Sequence, residues 1–192
     1  DFNAFYPEVP VYATVGELLD KIKIDLASVC VPTEIHAPVV HELAGRVKGI
    51  FCEKPLASNI LDAEAIVSIC KATDTCLAVN FVRCWDSSYM IAREWLEEGM
   101  IGELRNITGH YAGELLNIGS HLIHIMGFFA GKVAEVAGFT EKFHGERELA
   151  GSALLRYENG IPGFLVTHGI RLNGLFEVDM IGSKGRIRIS KN

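Results

Sequence analysis

The chain has 192 residues, of which 49% are hydrophobic, and this is enough apolar material to build one large domain or two small ones. The net charge is −6, and no run of Lys and Arg is long enough to follow a phosphate backbone, so nucleic acid is not expected as a partner. The apolar runs are far shorter than the roughly 20 residues needed to span a bilayer, so no membrane partner is expected either.

The first half of the chain alternates helix and strand signals, which is the pattern of a parallel sheet. A capping box at residues 14–17 predicts a short helix, and Ser58 or Asn59 is expected to open a later one. Thr33 is expected to cap the helix between the first two strands. The predicted strands are 25–31, 49–52 and 76–82, in a β-α-β-α-β order.

The second half becomes rich in strands after Trp85. Ser87 starts a predicted helix that ends at Gly99 in a left-handed cap, and residues 118–129 predict another helix. Turn signals at 158–160 and 182–185 predict hairpins. The predicted strands are 104–111, 133–143, 152–157, 163–168, 175–181 and 186–189. We therefore expect an α/β chain whose second part is an α+β domain built on a large antiparallel sheet.

The five cysteines are an odd number, and none has the C-x-x-C spacing expected of a zinc or redox site. Three of them lie in predicted strands, where a free thiol behaves as a small hydrophobic side chain. These features predict a reducing, cytoplasmic location.

Five strings occur in a fixed order and together resemble the Gfo/Idh/MocA family of oxidoreductases, which includes glucose-fructose oxidoreductase and inositol dehydrogenase. They are SVCVPTEIHAPVV, FCEKPLA, VNFVRCWDSSYMIAREWLEEGMIGEL, LLNIGSHLIHIMGFFAG and IGSKGRIRI. The resemblance implies an incomplete Rossmann-type nucleotide domain at 1–84 and a substrate and oligomerisation domain at 85–192. It also implies NAD or NADP as cofactor and hydride transfer at a hydroxyl carbon of a sugar, polyol or sugar nucleotide.

Lys54 is the first candidate catalytic residue. By the resemblance it is the lysine of the family's Glu-Lys-Pro motif, beside the nicotinamide and the reacting hydroxyl; in many relatives the peptide bond before the proline, here Pro55, is cis. An ammonium at the carboxyl end of a strand can stabilise the alkoxide character that grows as hydride leaves. The alternative is an exposed lysine in a tight turn.

His121 is the second candidate, and the resemblance makes it the general acid and base on the substrate hydroxyl. Imidazole suits this task because its unperturbed pKa is about 6.5. Asn117 stands where many relatives carry an aspartate, and an amide can orient a group but cannot act as a base. The alternatives for His121 are a buried histidine satisfied by a carbonyl, or a metal pair with His124 that would need His110 as well. We expect no metal.

The resemblance also implies cofactor-binding residues. Pro32 and Thr33 would pass along the ribose and nicotinamide, although a plain helix cap is compatible with Thr33 as well. Arg83 lies one position earlier than the arginine of many relatives. The full set is Pro32, Thr33, His36, Glu53, Lys54 and Arg83.

The family's G-x-G-x-x-G turn, which cradles a pyrophosphate, does not occur in the sequence. We therefore expect either a degenerate fragment or an intact enzyme with further segments. Two rival functions stay open: a catalytically silent relative that senses dinucleotide, and a structural subunit without a small ligand. An apolar sheet face with Phe139, Phe143, Phe164 and Phe176 predicts a homo-oligomer, a dimer or tetramer, through the antiparallel sheet.

Overall fold

The computed structural model describes residues 2–141, 150–168 and 174–190. The chain divides into two compact units, Asp1–Asn80 and Phe81–Asn192. The assignment of cofactor binding to 1–84 and of substrate binding to 85–192 stays a prediction.

The first unit contains a parallel sheet in the order β1-β2-β3, as the alternating pattern predicts. Its strands are β1 (Leu26–Val29), β2 (Gly49–Glu53) and β3 (Cys76–Asn80), and its helices are α1 (Phe2–Phe5), α2 (Val15–Lys21), α3 (His36–Leu43) and α4 (Ile60–Ala72). Buried apolar side chains from the sheet and from α3 and α4 form one core, which includes Val29, Val40, Ile50, Cys52 and Ile66.

Two of the predicted helix caps in this unit are confirmed and one is wrong. Thr14 Oγ1 accepts from the Glu17 amide at 3.1 Å, and Asn59 Oδ1 accepts from the Asp62 amide at 2.9 Å. Thr33 is not the cap of α3, because it opens a 3₁₀ turn (Thr33–Ile35) and its side chain caps neither this turn nor α3. The turn's own i→i+3 bonds engage the amides that a side-chain cap would otherwise bind.

The second unit is an α+β arrangement. Its strands are β4 (Leu104–Tyr111), β5 (Val133–Glu141), β6 (Ala150–Tyr157), β7 (Pro162–Thr167), β8 (Phe176–Gly182) and β9 (Arg186–Ser190). Its α-helices are α5 (Ser87–Glu97) and α6 (Ser120–Ala130), with a 3₁₀ turn at Val82–Trp85 before α5 and a π-helical segment at Leu115–Gly119 before α6. Asp86 caps α5, and Gly99 follows that helix with a φ of +72°, as expected.

The large sheet has the order β5-β6-β7-β4-β8-β9. Both predicted hairpins, β6–β7 and β8–β9, are antiparallel. The sheet is nevertheless mixed, because β4 pairs with β7 in parallel. The expectation of a large antiparallel sheet is therefore corrected at this one pair, where a long crossover separates the two strands in sequence.

Helix α6 packs closely on β4 at a glycine. A Cβ added at Gly109 would lie 2.7 Å from Met126 Sδ and 2.8 Å from Leu122 Cδ2, and both of those side chains are fully buried. The small residue at this strand position therefore allows the helix to approach the sheet.

Gly109→Ala is expected to lower the free energy of unfolding by about 1–3 kcal/mol, because the extra methyl overpacks this contact. Gly127→Ala in α6 is the matched control, since nothing lies within 4 Å of its added Cβ, and it should stabilise the helix by about 0.5–1 kcal/mol. Urea unfolding of both variants measures the difference. Equal effects of the two substitutions would contradict the packing account.

The other face of the sheet exposes apolar side chains. Phe139, Leu154 and Phe164 are 62%, 50% and 42% exposed, and Leu154 is the register partner of Phe164. The prediction was wrong for Phe176, which is buried because it lies at an inward position of the alternating strand β8; Phe143 lies outside the described residues. Strands β8 and β9 instead carry the ion pairs Arg186–Asp179 and Arg188–Glu177.

Among the helices of the described ranges, none is both long enough and apolar enough to cross a bilayer.

Candidate active site

The candidate cofactor residues of the first unit lie where its parallel strands end. Glu53 is the last residue of β2 and Asn80 is the last residue of β3, and the two are register partners. The side-chain Nδ2 of Asn80 donates to Glu53 Oε1 at 2.7 Å. This contact fixes the carboxylate at the carboxyl ends of the strands, where ligands bind in open α/β folds. We call this end of the sheet the sheet edge.

Lys54 follows directly and is half-buried. Its backbone amide donates to Glu53 Oε2 at 3.3 Å, and its peptide bond to Pro55 is cis. A half-buried lysine beside a fixed carboxylate favours a site residue over a freely exposed turn lysine. The catalytic role of Lys54 stays a prediction.

Pro32 and Thr33 follow β1 at the same edge, and Pro32 is exposed while Thr33 is half-buried. His36 differs from both, because it is only 1% exposed. Its Nε2 lies 2.9 Å from the Val31 carbonyl oxygen and its Nδ1 lies 3.2 Å from the Leu56 carbonyl oxygen. Both ring nitrogens therefore face backbone acceptors.

The candidate catalytic residues of the second unit, Asn117 and His121, lie just before and at the start of α6. His121 is the second residue of that helix and is 7% exposed. Asn117 is exposed in the π-helical segment, and its carbonyl oxygen accepts from Ser120 Oγ at 3.2 Å. The α-helix begins at Ser120, two residues after the predicted start, because residues 118 and 119 belong to the π-helical segment. That segment does not follow from the sequence pattern; such segments are frequent at functional sites.

Phe81 holds two histidines of α6 by aromatic contacts. It stacks on His124 with ring centroids 4.2 Å apart and meets the edge of His121 at 6.0 Å. Burial lowers the pKa of His124 below its ordinary value, because the charged ring would lose hydration there. His124 is therefore held in its neutral form more strongly in the folded chain than in the unfolded one.

This difference predicts a pH-dependent stability. Because the folded-state pKa lies below the unfolded value, the contribution is fully present above about pH 6.5 and is lost as the pH falls towards the folded pKa. His124→Phe retains a ring against Phe81 and removes the titrating group, so it should flatten the acid-side loss of stability. Urea unfolding between about pH 5 and pH 8 measures this slope, which is at most about 1.4 kcal/mol per pH unit.

The control for this experiment is His41→Gln, since His41 is exposed on α3. It should leave the slope as in the wild type. Identical slopes for the wild type and His124→Phe would contradict the assignment to His124.

Arg83 lies in the 3₁₀ turn before α5, and its guanidinium sits 4.0 Å above the centre of the Phe176 ring. A cation over an aromatic face is a stabilising contact within the second unit. The cofactor role of Arg83 stays a prediction.

A three-histidine metal site is not supported. In β4, Gly109 and Tyr111 face α6, so the alternation of the strand places His110 on the opposite face of the sheet from His121 and His124. His110 Nδ1 instead lies 3.3 Å from His168 Nε2. In the described ranges, no group of three or more His, Cys, Asp or Glu side chains could hold a metal ion.

Sequence reasoning missed two residues of these clusters, Asn80 and Phe81. Both stand in the string VNFVRC, directly after an apolar strand. A polar residue at the carboxyl end of a parallel strand lies where ligands bind in open α/β sheets, and this argument would have found Asn80. The aromatic contacts of Phe81 depend on folding and left no local signal.

Two family models match this chain. Residues 2–81 match the model described as "Oxidoreductase family, NAD-binding Rossmann fold", and residues 111–188 match "GFO/IDH/MocA C-terminal domain". The chain belongs to the GFO/IDH/MocA oxidoreductase family. The resemblance inferred from the five strings is thereby confirmed.

Curated relatives of this family member include an inositol 2-dehydrogenase from Rhizobium meliloti, 34% identical over 95 residues, which are 50% of this chain and 29% of the relative. A dTDP-3,4-didehydro-2,6-dideoxy-alpha-D-glucose 3-reductase from Actinomadura kijaniata is 25% identical over 91% of this chain and 58% of the relative. The chain thus spans less than two thirds of the length of these relatives.

Among solved structures, the fold is similar to that of the WlbA dehydrogenase from Bordetella pertussis in complex with NADH and UDP-GlcNAcA. The TM-score is 0.82 at 20% identity, over 93% of this chain and 62% of that one. At this identity the likeness shows the fold, a Rossmann-type sheet with a larger mixed sheet.

Proposed function

We propose that this GFO/IDH/MocA family member acts in an NAD(P)-dependent dehydrogenase that transfers hydride at a hydroxyl carbon of a sugar, polyol or sugar nucleotide. The observation that carries the proposal is the Glu53-Lys54-Pro55 loop at the end of β2, held by Asn80 at the edge of a parallel sheet. That edge is the binding edge of Rossmann-type folds.

The residues at this edge fit a dinucleotide. The carboxylate of Glu53 accepts one bond from Asn80 and one from the Lys54 amide, and two carboxylate oxygens have capacity for further hydroxyl donors. Glu53 and Thr33 would therefore hold a ribose. When bound, NAD(P) supplies the hydride acceptor or donor.

Lys54 and His121 would have different roles at the substrate oxygen: charge stabilisation and proton transfer. In the oxidation direction, a C–H and an O–H bond of the alcohol break and a carbonyl forms. The ammonium of Lys54 stabilises the negative charge that develops on the oxygen, and the imidazole of His121 accepts the hydroxyl proton. Asn117 donates or accepts hydrogen bonds that orient the alcohol or the imidazole.

The names of the relatives support the substrate class. They act on inositol and on a dTDP-linked sugar, and the WlbA complex contains a UDP-linked sugar acid. All of these molecules carry secondary hydroxyl or keto carbons on a ring, which is the group that the proposed chemistry needs.

The test is direct incubation of the purified protein with NAD⁺ or NADP⁺ and a panel of inositols, free sugars and nucleotide sugars. Absorbance of the reduced nicotinamide reports hydride transfer. We expect turnover with at least one member of the panel. Dinucleotide binding without turnover on any of them would favour the alternative function.

That alternative is a silent relative that senses dinucleotide. Asn117 favours it, because an amide in place of an aspartate removes one proton-accepting group from the start of α6. The presence of both Lys54 and His121 favours the enzyme.

The proposal includes a cytoplasmic homo-oligomer. All five cysteines are free, which suits a reducing compartment. The exposed patch of Phe139, Leu154 and Phe164 would be covered by the sheet of a second copy. Phe164→Glu should halve the mass in light scattering or reduce it further, whereas Glu98→Lys at the end of α5 should not change it. A monomeric wild type would refute the oligomer.

A further inference from the structure

His36 has an environment that direct contact with a cofactor does not explain. It is the first residue of α3 and is 1% exposed. Its two ring nitrogens lie within hydrogen-bond distance of two carbonyl oxygens, those of Val31 at 2.9 Å and Leu56 at 3.2 Å. A ring enclosed between two carbonyl oxygens has little left to offer a ligand; a neutral ring donates to one of them at a time, and a protonated ring donates to both.

The two carbonyls belong to the two loops that carry the candidate cofactor residues. Val31 stands directly before Pro32 and Thr33, and Leu56 stands directly after Pro55. The imidazole therefore links the loop after β1 to the loop after β2. Because the ring is rigid, it fixes the separation of the two loops more firmly than a flexible side chain would.

The loop after β2 has a second anchor on its other side. Glu53 is held by Asn80 at 2.7 Å, while Leu56 is held by His36. Lys54 and Pro55 therefore lie between these two contacts, the Asn80–Glu53 hydrogen bond and the His36–Leu56 contact, which we call tethers. Loss of either tether would release the position of the Lys54 amine relative to the sheet edge.

We propose that His36 is a positioning residue that acts through Lys54 by clamping the loop after β2 to the loop after β1. The inference rests on the proposed function for its effect on turnover, but the clamp itself is a statement about this unit alone. A shift of about 1 Å in a reacting group can cost about 100-fold in rate, so a buried clamp remote from the chemistry can matter.

The experiment uses His36→Phe, which retains an aromatic ring and removes both ring nitrogens. The kcat should fall about 10–100-fold, with less change in the dissociation constant for NADH. Amide hydrogen exchange should accelerate at Lys54, Leu56 and Ala57 and in residues 33–35 but not in α4. His41→Phe, at an exposed position of the same helix, is the matched control and should change neither readout.

A second variant keeps the test decisive if the phenylalanine variant does not fold. His36→Ala leaves a buried space that faces both carbonyls. Added imidazole should restore slow amide exchange and should raise the kcat of this variant at least tenfold. 1-Methylimidazole has one nitrogen blocked and should restore less. Equal restoration by both compounds, or unchanged exchange in the variants, would overturn the clamp.

The two proposals fail in different ways. If the wild-type protein turns over no substrate, the proposed function fails, and hydrogen exchange alone still decides whether His36 holds the loops. If turnover is present and the His36 variants show wild-type kcat, the positioning role is refuted while the dehydrogenase stands.

Discussion

Lys54→Met is expected to lower kcat of the proposed dehydrogenase by about 10²–10³-fold, which corresponds to the loss of one preorganised group that stabilises developing charge. Methionine retains most of the length and apolar volume of the side chain and removes its positive charge, so folding should be preserved. Steady-state kinetics and a thermal melt of the same preparation measure both quantities.

The control is Lys71→Met, because Lys71 is an exposed lysine in the last turn of α4. It should leave kcat unchanged. An active Lys54→Met variant would end the assignment of the Glu-Lys-Pro loop as a catalytic element.

His121→Asn is expected to lower kcat about 10²–10⁴-fold, the usual contribution of a positioned general acid or base. Asparagine can still form hydrogen bonds but cannot exchange a proton near neutral pH. The dissociation constant for NADH, measured by fluorescence titration, should change little, because the lesion is in proton transfer and not in cofactor binding.

His124→Asn is the matched control, since His124 lies one helical turn further along α6 and also contacts Phe81. It should retain most of the activity. If both variants lose activity equally together with their melting temperature, the effect comes from packing against Phe81 and the role of His121 in proton transfer is refuted.

Much of the fold could be predicted from local signals in the sequence. The caps at Thr14 and Asn59 were predictable because each side chain bonds an amide three residues away. The hairpin turns between β6 and β7 and between β8 and β9 were also predictable from local sequence, because a tight turn imposes antiparallel pairing on its own two strands.

Contacts between distant segments could not be predicted in this way. The parallel pairing of β4 with β7 joins strands separated by α6, β5 and β6, and no local pattern specifies it. The burial of Phe176 depends on which face of β8 meets the core, and a shift of one residue reverses that choice.

The residues of the candidate site also divide into those that the sequence predicts and those that only the fold brings together. Lys54, His121 and Glu53 were found by resemblance to family motifs. The tethers from Asn80 and His36 join residues 27 and 20 positions apart, so they appear only in the folded unit.

The most direct test of the central claim is a crystal structure of the protein with bound dinucleotide and a substrate identified by the turnover assay. It should place the Lys54 amine and a ring nitrogen of His121 each about 3 Å from the same substrate oxygen. A complex in which the two side chains contact different parts of the ligand, or in which one of them is remote from it, would contradict the account.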